Sequence, residues 1–386
     1  MTRRPPPQHL ATRLVHAGEP FEGGAAIPPI HRSTVHRTHG TPTYAELKYP
    51  RLSSLPNHRV LADKLADVCE AEAALVTGSG MAAISAVLLS QLSSGDHILV
   101  QSCVYGGTHS LLTKVLSRFG VSYDFIDATD PTEWSQALQP HTRALFIETL
   151  ANPLLRVADL PAAVSFCRQH GLLSIVDNTF ASPVLCRPAA LGADLVVHSA
   201  TKYLNGHSDL AAGVVAGRAS LVAQVHATLN LLGGDLDPEG CFLLHRGLKT
   251  LSLRVRDQCA GARAVAEWLD THPAVRKLHH PSLAHHPDHM RARTILTDFG
   301  AMIAVAFDAP AQAVQAAIES TRVFVCSVSL GGVESLITRP AATSHAGMTA
   351  AERAAAGVTD DLVRLSIGIE DPTDLIADLE AALSSL

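Results

Sequence analysis

The chain reads as an α/β protein built on a mixed, mostly parallel sheet, with a smaller α/β domain behind it. Three observations predict this class. Short apolar runs, HILVQ (97–101), RALFIE (143–148), SIV (174–176) and DLVVH (194–198), alternate with stretches of helical periodicity over residues 50–246. From Gly247 a long helical stretch leads into a second region that holds AMIAVAF (301–307) and VRLSIGI (363–369). Residues 1–49, rich in Pro, His and Arg, look like an extended arm suited to gripping a partner subunit. The expected organisation is an arm over 1–49, a large domain over 50–246 and a C-terminal α/β domain over 247–386.

Composition narrows the class of function. With 386 residues, 47% of them hydrophobic and 17% charged, the chain can bury a large core. A net charge of −6 and no long basic run argue against nucleic acid as the principal partner. The opening MTRRPPPQHL lacks the apolar core of a secretory signal, and no apolar run reaches the roughly 18 residues of a membrane span, so the cytoplasm is the expected compartment. Seven cysteines without a Cys-x-x-Cys pair give neither a disulfide framework nor a zinc site and read as mostly buried thiols, Cys103 and Cys326 included. His279, His280, His285, His286 and His289 crowd one segment. Pro281 and Pro287 break the helix that would align His285 with His289, so no metal site is expected there.

Three motifs carry the chemistry. The apolar run Ala73-Ala-Leu-Val precedes TGSGMAAI (77–84), and apolar periodicity continues to about Leu92: strand, glycine turn, helix start. The main-chain N–H groups of Gly80 and Met81 would face an anion such as a phosphate, helped by the positive end of the helix dipole. Downstream, LLSIV (172–176) reads as a buried strand ending in Asp177. A third strand, DLVVH, leads into HSATKYLNGHSD (198–209), which contains Lys202.

In open α/β sheets the carboxyl ends of parallel strands face the ligand crevice, so Asp177 and Lys202 are expected to share a site. An amine that forms a Schiff base must be largely unprotonated near neutral pH, whereas a free lysine has a pKa of roughly 10.4; burial at a strand end lowers it. Hydroxyls at Ser199 and Thr201 can hold a phosphate, and a carboxylate against a pyridine nitrogen keeps that ring protonated. These are the requirements of pyridoxal 5'-phosphate (PLP). Each residue alone has a plainer reading: a surface or ion-paired lysine, a helix N-cap or turn aspartate, an ordinary glycine turn.

The order IPPIHRST (27–34), TGSGMAAI, YGGT (105–108), ETLANP (148–153), VDNTFASP (176–183), HSATKYLNGHSD, LHRGLKTLSLR (244–254), SLGGVESLI (329–337) and VRLSIGIE (363–370) resembles the Cys/Met-metabolism family of PLP-dependent enzymes over nearly the whole chain. That family includes cystathionine γ-synthase, cystathionine γ-lyase, cystathionine β-lyase, methionine γ-lyase and O-acetylhomoserine sulfhydrylase. The resemblance implies PLP-dependent transferase fold type I, the aspartate aminotransferase-like fold. It implies that Lys202 forms the Schiff base with PLP and shuttles protons, that Asp177 holds the pyridinium, that Tyr105 stacks on the ring and can move a proton, and that Asn152 lies near the ring hydroxyl. Arg364 matches the arginine that binds the substrate α-carboxylate, with Ser329 as a second contact. Tyr49 and Arg51 match a pair that reaches across to the phosphate of a neighbouring subunit. Here YPRLSSLPNH (49–58) departs from the usual Tyr-x-Arg-x-x-Asn-Pro-Thr by one extra residue between arginine and proline, so the loop that follows is expected to differ in shape.

Substrate choice is less constrained. Val328 stands where cystathionine γ-synthases and γ-lyases often carry a glutamate that engages the distal ammonium of cystathionine, and valine leans toward methionine γ-lyase or the O-acetylhomoserine enzymes. Gly107 departs from methionine γ-lyase, which usually has cysteine there, and the GHSD (206–209) and SLGG (329–332) runs lean back toward the cystathionine enzymes. The leading expectation is a PLP-dependent transsulfuration enzyme acting at a C–S or C–O bond of a sulfur amino acid or homoserine ester. The alternatives are a methionine γ-lyase-like, O-acetylhomoserine sulfhydrylase-like or cystathionine β-lyase activity and, from another class, a catalytically idle PLP-fold binding protein. The expected partner is an amino-acid substrate, with neither nucleic acid nor membrane, and the expected assembly is a homotetramer, a dimer of dimers that share active sites.

Overall fold

Twelve strands form among the described residues: β1 (Ala73–Thr77), β2 (His97–Gln101), β3 (Ser122–Ile126), β4 (Thr142–Glu148), β5 (Leu173–Asp177), β6 (Leu195–Ser199), β7 (Gly213–Gly217), β8 (Val275–His279), β9 (Met302–Phe307), β10 (Val325–Cys326), β11 (Leu336–Thr338) and β12 (Leu362–Ser366). The structure is a computed structural model that describes residues 8–18, 25–38, 40, 43–384 and 386. The first seven residues of the polar opening lie outside the described residues. The chain divides into two units, Met1–Leu92 with Ser174–Leu253, and Ser93–Leu173 with Arg254–Leu386.

In the first unit the strand order is β1-β7-β6-β5. β5 and β6 run parallel, whereas β7 is antiparallel to both β6 and β1. Val214, Val215 and Ala216 of β7 and Leu195 and Val197 of β6 are fully buried. These strands read as continuous apolar runs because both faces are covered. The helix Gly80–Gln91 packs against β6 and β7. It starts where Ser79 accepts a hydrogen bond from the Ala82 N–H at 3.0 Å, which satisfies one of the free donors of the first turn.

Within the stretch expected to be an extended arm, one segment is α-helical. Leu10–His16 form a helix with Leu14 fully buried. Lys64 Nζ donates to Leu14 O at 2.8 Å, and Arg13 pairs with Asp67 of the helix Pro56–Cys69 and with Glu70, which caps it. Proline density hid this docking, because the prolines flank the seven helical residues and none interrupts them. The following stretch is tied down by Asn57, whose amide accepts from His31 N–H and donates to Pro29 O, both at 2.9 Å.

In the second unit β4, β2 and β3 are parallel neighbours, and a five-stranded sheet has the order β10-β11-β12-β9-β8. β12 is antiparallel to both β11 and β9, with Arg364 opposite Thr338 on one side and Ala304 on the other. All six residues of β9 are buried. Among the described residues no helix is long and apolar enough to cross a membrane.

Candidate active site

The parallel register of β5 and β6 sets Asp177 opposite Val197, so the segments leaving both strands emerge at the same end. Three hydrogen bonds knit them: Asn178 N–H to Val197 O at 2.9 Å, Ser199 N–H to Thr179 Oγ1 at 2.8 Å, and Thr179 N–H to Asp177 Oδ1 at 2.9 Å. Asp177 is buried, and burial pushes its carboxyl up to about 6 even though Thr179 pulls the other way. A buried carboxylate in this condition favours a cationic partner.

The turn after β6 holds Lys202 partly buried. Its N–H bonds Ser199 O at 3.1 Å and its carbonyl receives Gly206 N–H at 2.8 Å, while the neighbouring Tyr203 and Leu204 are buried and anchor the turn. Gly80 lies directly against Ser199: a Cβ at Gly80 would sit 2.8 Å from Ser199 Cβ. The first turn of the helix Gly80–Gln91, with Gly80 and Met81, is therefore brought to Ser199, as an anion cradle requires. Thr201 has main-chain partners of its own. Its hydroxyl exchanges hydrogen bonds with the Ala212 main chain, at 3.2 Å to the carbonyl and 3.0 Å from the N–H. Tyr49 and Arg51 lie on the surface of the same unit, with the Arg51 guanidinium 5.6 Å from the Tyr49 ring centre and hydrogen-bonded to Asn230 O at 2.8 Å.

In the second unit, Tyr105 stands immediately before the helix Gly106–Lys114 with its side chain 40% exposed. Gly106 is required there, since a Cβ would come within 2.4 Å of Ser344 O. Asn152 is buried, and its Oδ1 accepts from Arg364 Nη1 at 3.0 Å. Arg364 Nη2 donates to Ser329 O at 2.8 Å, so Ser329 meets the guanidinium through its main-chain carbonyl. Ser329 takes φ +82°, a left-handed conformation unusual for serine, and the adjacent Val328 side chain is exposed. Cys103 Sγ is 3.7 Å from Asn152 O, and burial pushes this thiol up to about 12, which keeps it protonated and unreactive. Cys326 is exposed in β10.

Three residues that sequence reasoning did not single out belong to these clusters. Thr179 joins the two strand-end segments. Glu148, closing β4, receives the N–H of both Tyr105 and Asn152. His345 is buried beside Arg364 with the Asn152 main chain as a hydrogen-bond partner, and burial followed by the arginine's charge pushes it down to about 4. A carboxylate ending an apolar strand was the available signal for Glu148; Thr179 and His345 carried none.

Residues 11–384 match the family of Cys/Met metabolism PLP-dependent enzymes. The chain belongs to that family. It is 39% identical over 379 residues to the cystathionine gamma-lyase of Bacillus subtilis, covering 97% of this chain and 99% of that protein. It is 38% identical to the cystathionine beta-lyase of Coxiella burnetii, covering 97% and 98%. The crystal structure of cystathionine gamma synthase from Xanthomonas oryzae pv. oryzae in complex with cystathionine superposes with a TM-score of 0.95 at 41% identity, covering 98% of this chain and 99% of that one. The chain is thus a PLP-dependent enzyme with the fold type I architecture that the motif order implied. The residues present fit the cofactor on their own geometry. Asp177 is a buried carboxylate held above its ordinary range, and the helix start at Gly80 touches Ser199 only because no side chain intervenes.

Proposed function

We propose that this member of the family breaks or exchanges the bond from sulfur, or from an ester oxygen, to the side chain of an amino acid, with cystathionine or an acylated homoserine as substrate. The observation that carries this reading is the parallel register of β5 and β6, which delivers Asp177 and the Ser199–Lys202 turn to the same strand ends beside the helix start at Gly80. PLP supplies an electron-poor ring that stabilises negative charge at the amino acid's α-carbon. Asp177 would keep a proton on the ring nitrogen. The N–H groups of Gly80 and Met81, with Ser199 and Thr201, would bind the phosphate, and Tyr49 and Arg51 would serve the phosphate of a partner subunit in a dimer or tetramer. Lys202 would hold the cofactor and move the proton taken from the substrate α-carbon. Tyr105 would lie on the ring as a flat face, with Asn152 near the ring hydroxyl. Arg364 would bind the α-carboxylate through its planar fork, with Ser329 beside it.

Relatives named cystathionine gamma-lyase, cystathionine beta-lyase and L-methionine gamma-lyase all support sulfur amino acids as the substrate class. A second reading, methionine γ-elimination, is favoured by one feature: Val328 is exposed and apolar, offering no charge to a distal ammonium. A cytoplasmic setting and the arm, large-domain and C-terminal-domain boundaries at 49 and 246 remain part of this proposal. A substrate panel on the PLP-loaded enzyme tests it. Cystathionine giving 2-oxobutyrate and cysteine, or acylated homoserine with cysteine giving cystathionine, supports the leading reading; methanethiol from methionine supports the second. Inertness toward all of these at full cofactor loading overturns both.

A further inference from the structure

Glu148 is 4% exposed and follows the apolar residues Ala144 to Ile147 of β4. A carboxylate in that setting needs donors, and both its oxygens have them from separate loops. Oε1 accepts the Tyr105 N–H at 2.6 Å, and Oε2 accepts the Asn152 N–H at 3.2 Å. Its own N–H donates to Gln101 Oε1 at 2.8 Å, which fixes the strand end. The chain of contacts continues, because Asn152 Oδ1 receives Arg364 Nη1 at 3.0 Å and Ser329 O receives Nη2 at 2.8 Å.

We propose that Glu148 is a positioning residue for the reaction: its carboxylate sets the backbone from which Tyr105 projects and, through Asn152, the aim of the Arg364 guanidinium at the substrate carboxylate. The inference rests on the role of Arg364 and Tyr105 given above and extends it. A carboxylate suits the task because it is an acceptor at both oxygens and its charge strengthens both hydrogen bonds. A glutamine has the same shape but one acceptor oxygen, and its NH2 would face a main-chain donor. Either the Tyr105 or the Asn152 N–H would then lose its partner, and the loop bearing it would shift.

The test uses the full-length enzyme loaded with PLP, in its parent form and as Glu148→Gln and Glu148→Asp, compared at equal cofactor content. For Glu148→Gln the expected result is retained cofactor, kcat/KM lowered about tenfold or more, and a weaker affinity for glycine by a similar factor. Glycine is the probe because it offers the α-amine and α-carboxylate but no leaving group. Glu148→Asp, which keeps both acceptor oxygens on a shorter stem, is expected to lie between parent and Gln. Values of kcat, KM and glycine affinity within twofold of the parent in both variants overturn the proposal. So does failure of both to fold or hold cofactor, which assigns Glu148 to fold maintenance alone. A parent that turns over no substrate in the panel fails the functional reading instead, and glycine affinity still reports on Glu148.

Discussion

Asp177, proposed above to keep a proton on the ring nitrogen, costs the fold stability. Burial lifts its carboxyl to about 6, so above that pH the cofactor-free protein holds an anion that an unfolded chain would solvate better. The folded state binds the extra proton, so this contribution to stability falls as pH rises from about 4 to about 6 and stays unfavourable above that. Asp177→Asn keeps an acceptor for the Thr179 N–H and removes the charge. In cofactor-free protein at pH 8 the variant is expected to be more stable by on the order of 1–3 kcal/mol, read by urea unfolding, while its PLP-loaded form loses most activity. A destabilised Asp177→Asn would remove buried charge as the explanation. The strand ending at Asp177 and the turn that holds Lys202 were legible because apolar runs stop there, at a charged residue in one case and at Ser199 in the other. Glu148 ends a strand in the same way, yet its partners are one main-chain N–H 43 residues earlier and another in the loop that follows it, which no side-chain pattern records.

Among the elements, the helix Gly80–Gln91 is pinned by what Gly80 lacks. Exchanging a helical glycine for alanine ordinarily stabilises by up to about 1 kcal/mol. Here the new methyl would lie 2.8 Å from Ser199 Cβ and 2.9 Å from its Oγ, too close for either to remain. Gly80→Ala is therefore expected to push the helix start and the Ser199 turn apart and to weaken PLP retention at least tenfold, measured by cofactor loss on dialysis. Retention equal to the parent would show that this contact does not shape the cradle. Strand, turn and helix here followed directly from apolar runs and glycine spacing. The place of β7, antiparallel between β6 and β1, did not. Its short Gly-Val-Val-Ala-Gly run resembles any buried strand, and Gly213 permits the close pass only because a Cβ there would come 2.2 Å from Ser79 O. The helix Leu10–His16 was hidden for a different reason, since its stability comes from Arg13 and Leu14 meeting another helix rather than from its own seven residues.

For the whole molecule, histidine is the group that decides behaviour in acid. His198, His279, His280, His286 and His345 are all buried, and burial is the first cause that pushes each down to about 4. Three of them belong to the 279–289 segment, where sequence showed only a crowd of imidazoles among prolines. In the structure His280 is wedged between Ser282 Oγ at 2.6 Å and Gly300 O at 3.3 Å, and His279 meets His286 edge to face. Between about pH 4 and 6.5 an unfolded chain protonates these rings while the folded chain resists, so the unfolded state binds more protons and stability falls as pH falls through that window. Each ring contributes on the order of 1–3 kcal/mol. Asp177 acts in the opposite sense over nearly the same range, but it stands against these five, and burial pushes His58, His97 and His109 down as well. Against a total stability of roughly 5–15 kcal/mol, the cofactor-free enzyme is expected to lose a large share of its stability on acidification toward pH 4. Urea midpoints taken at pH 8, 6 and 5 should decrease in that order, most steeply between 6 and 5, and His345→Asn, with no imidazole to protonate at that site, should flatten the decline. Midpoints that hold steady or rise toward pH 5 would mean that these rings already carry their protons in the folded chain, and that Arg364 has a cationic neighbour instead of a neutral one.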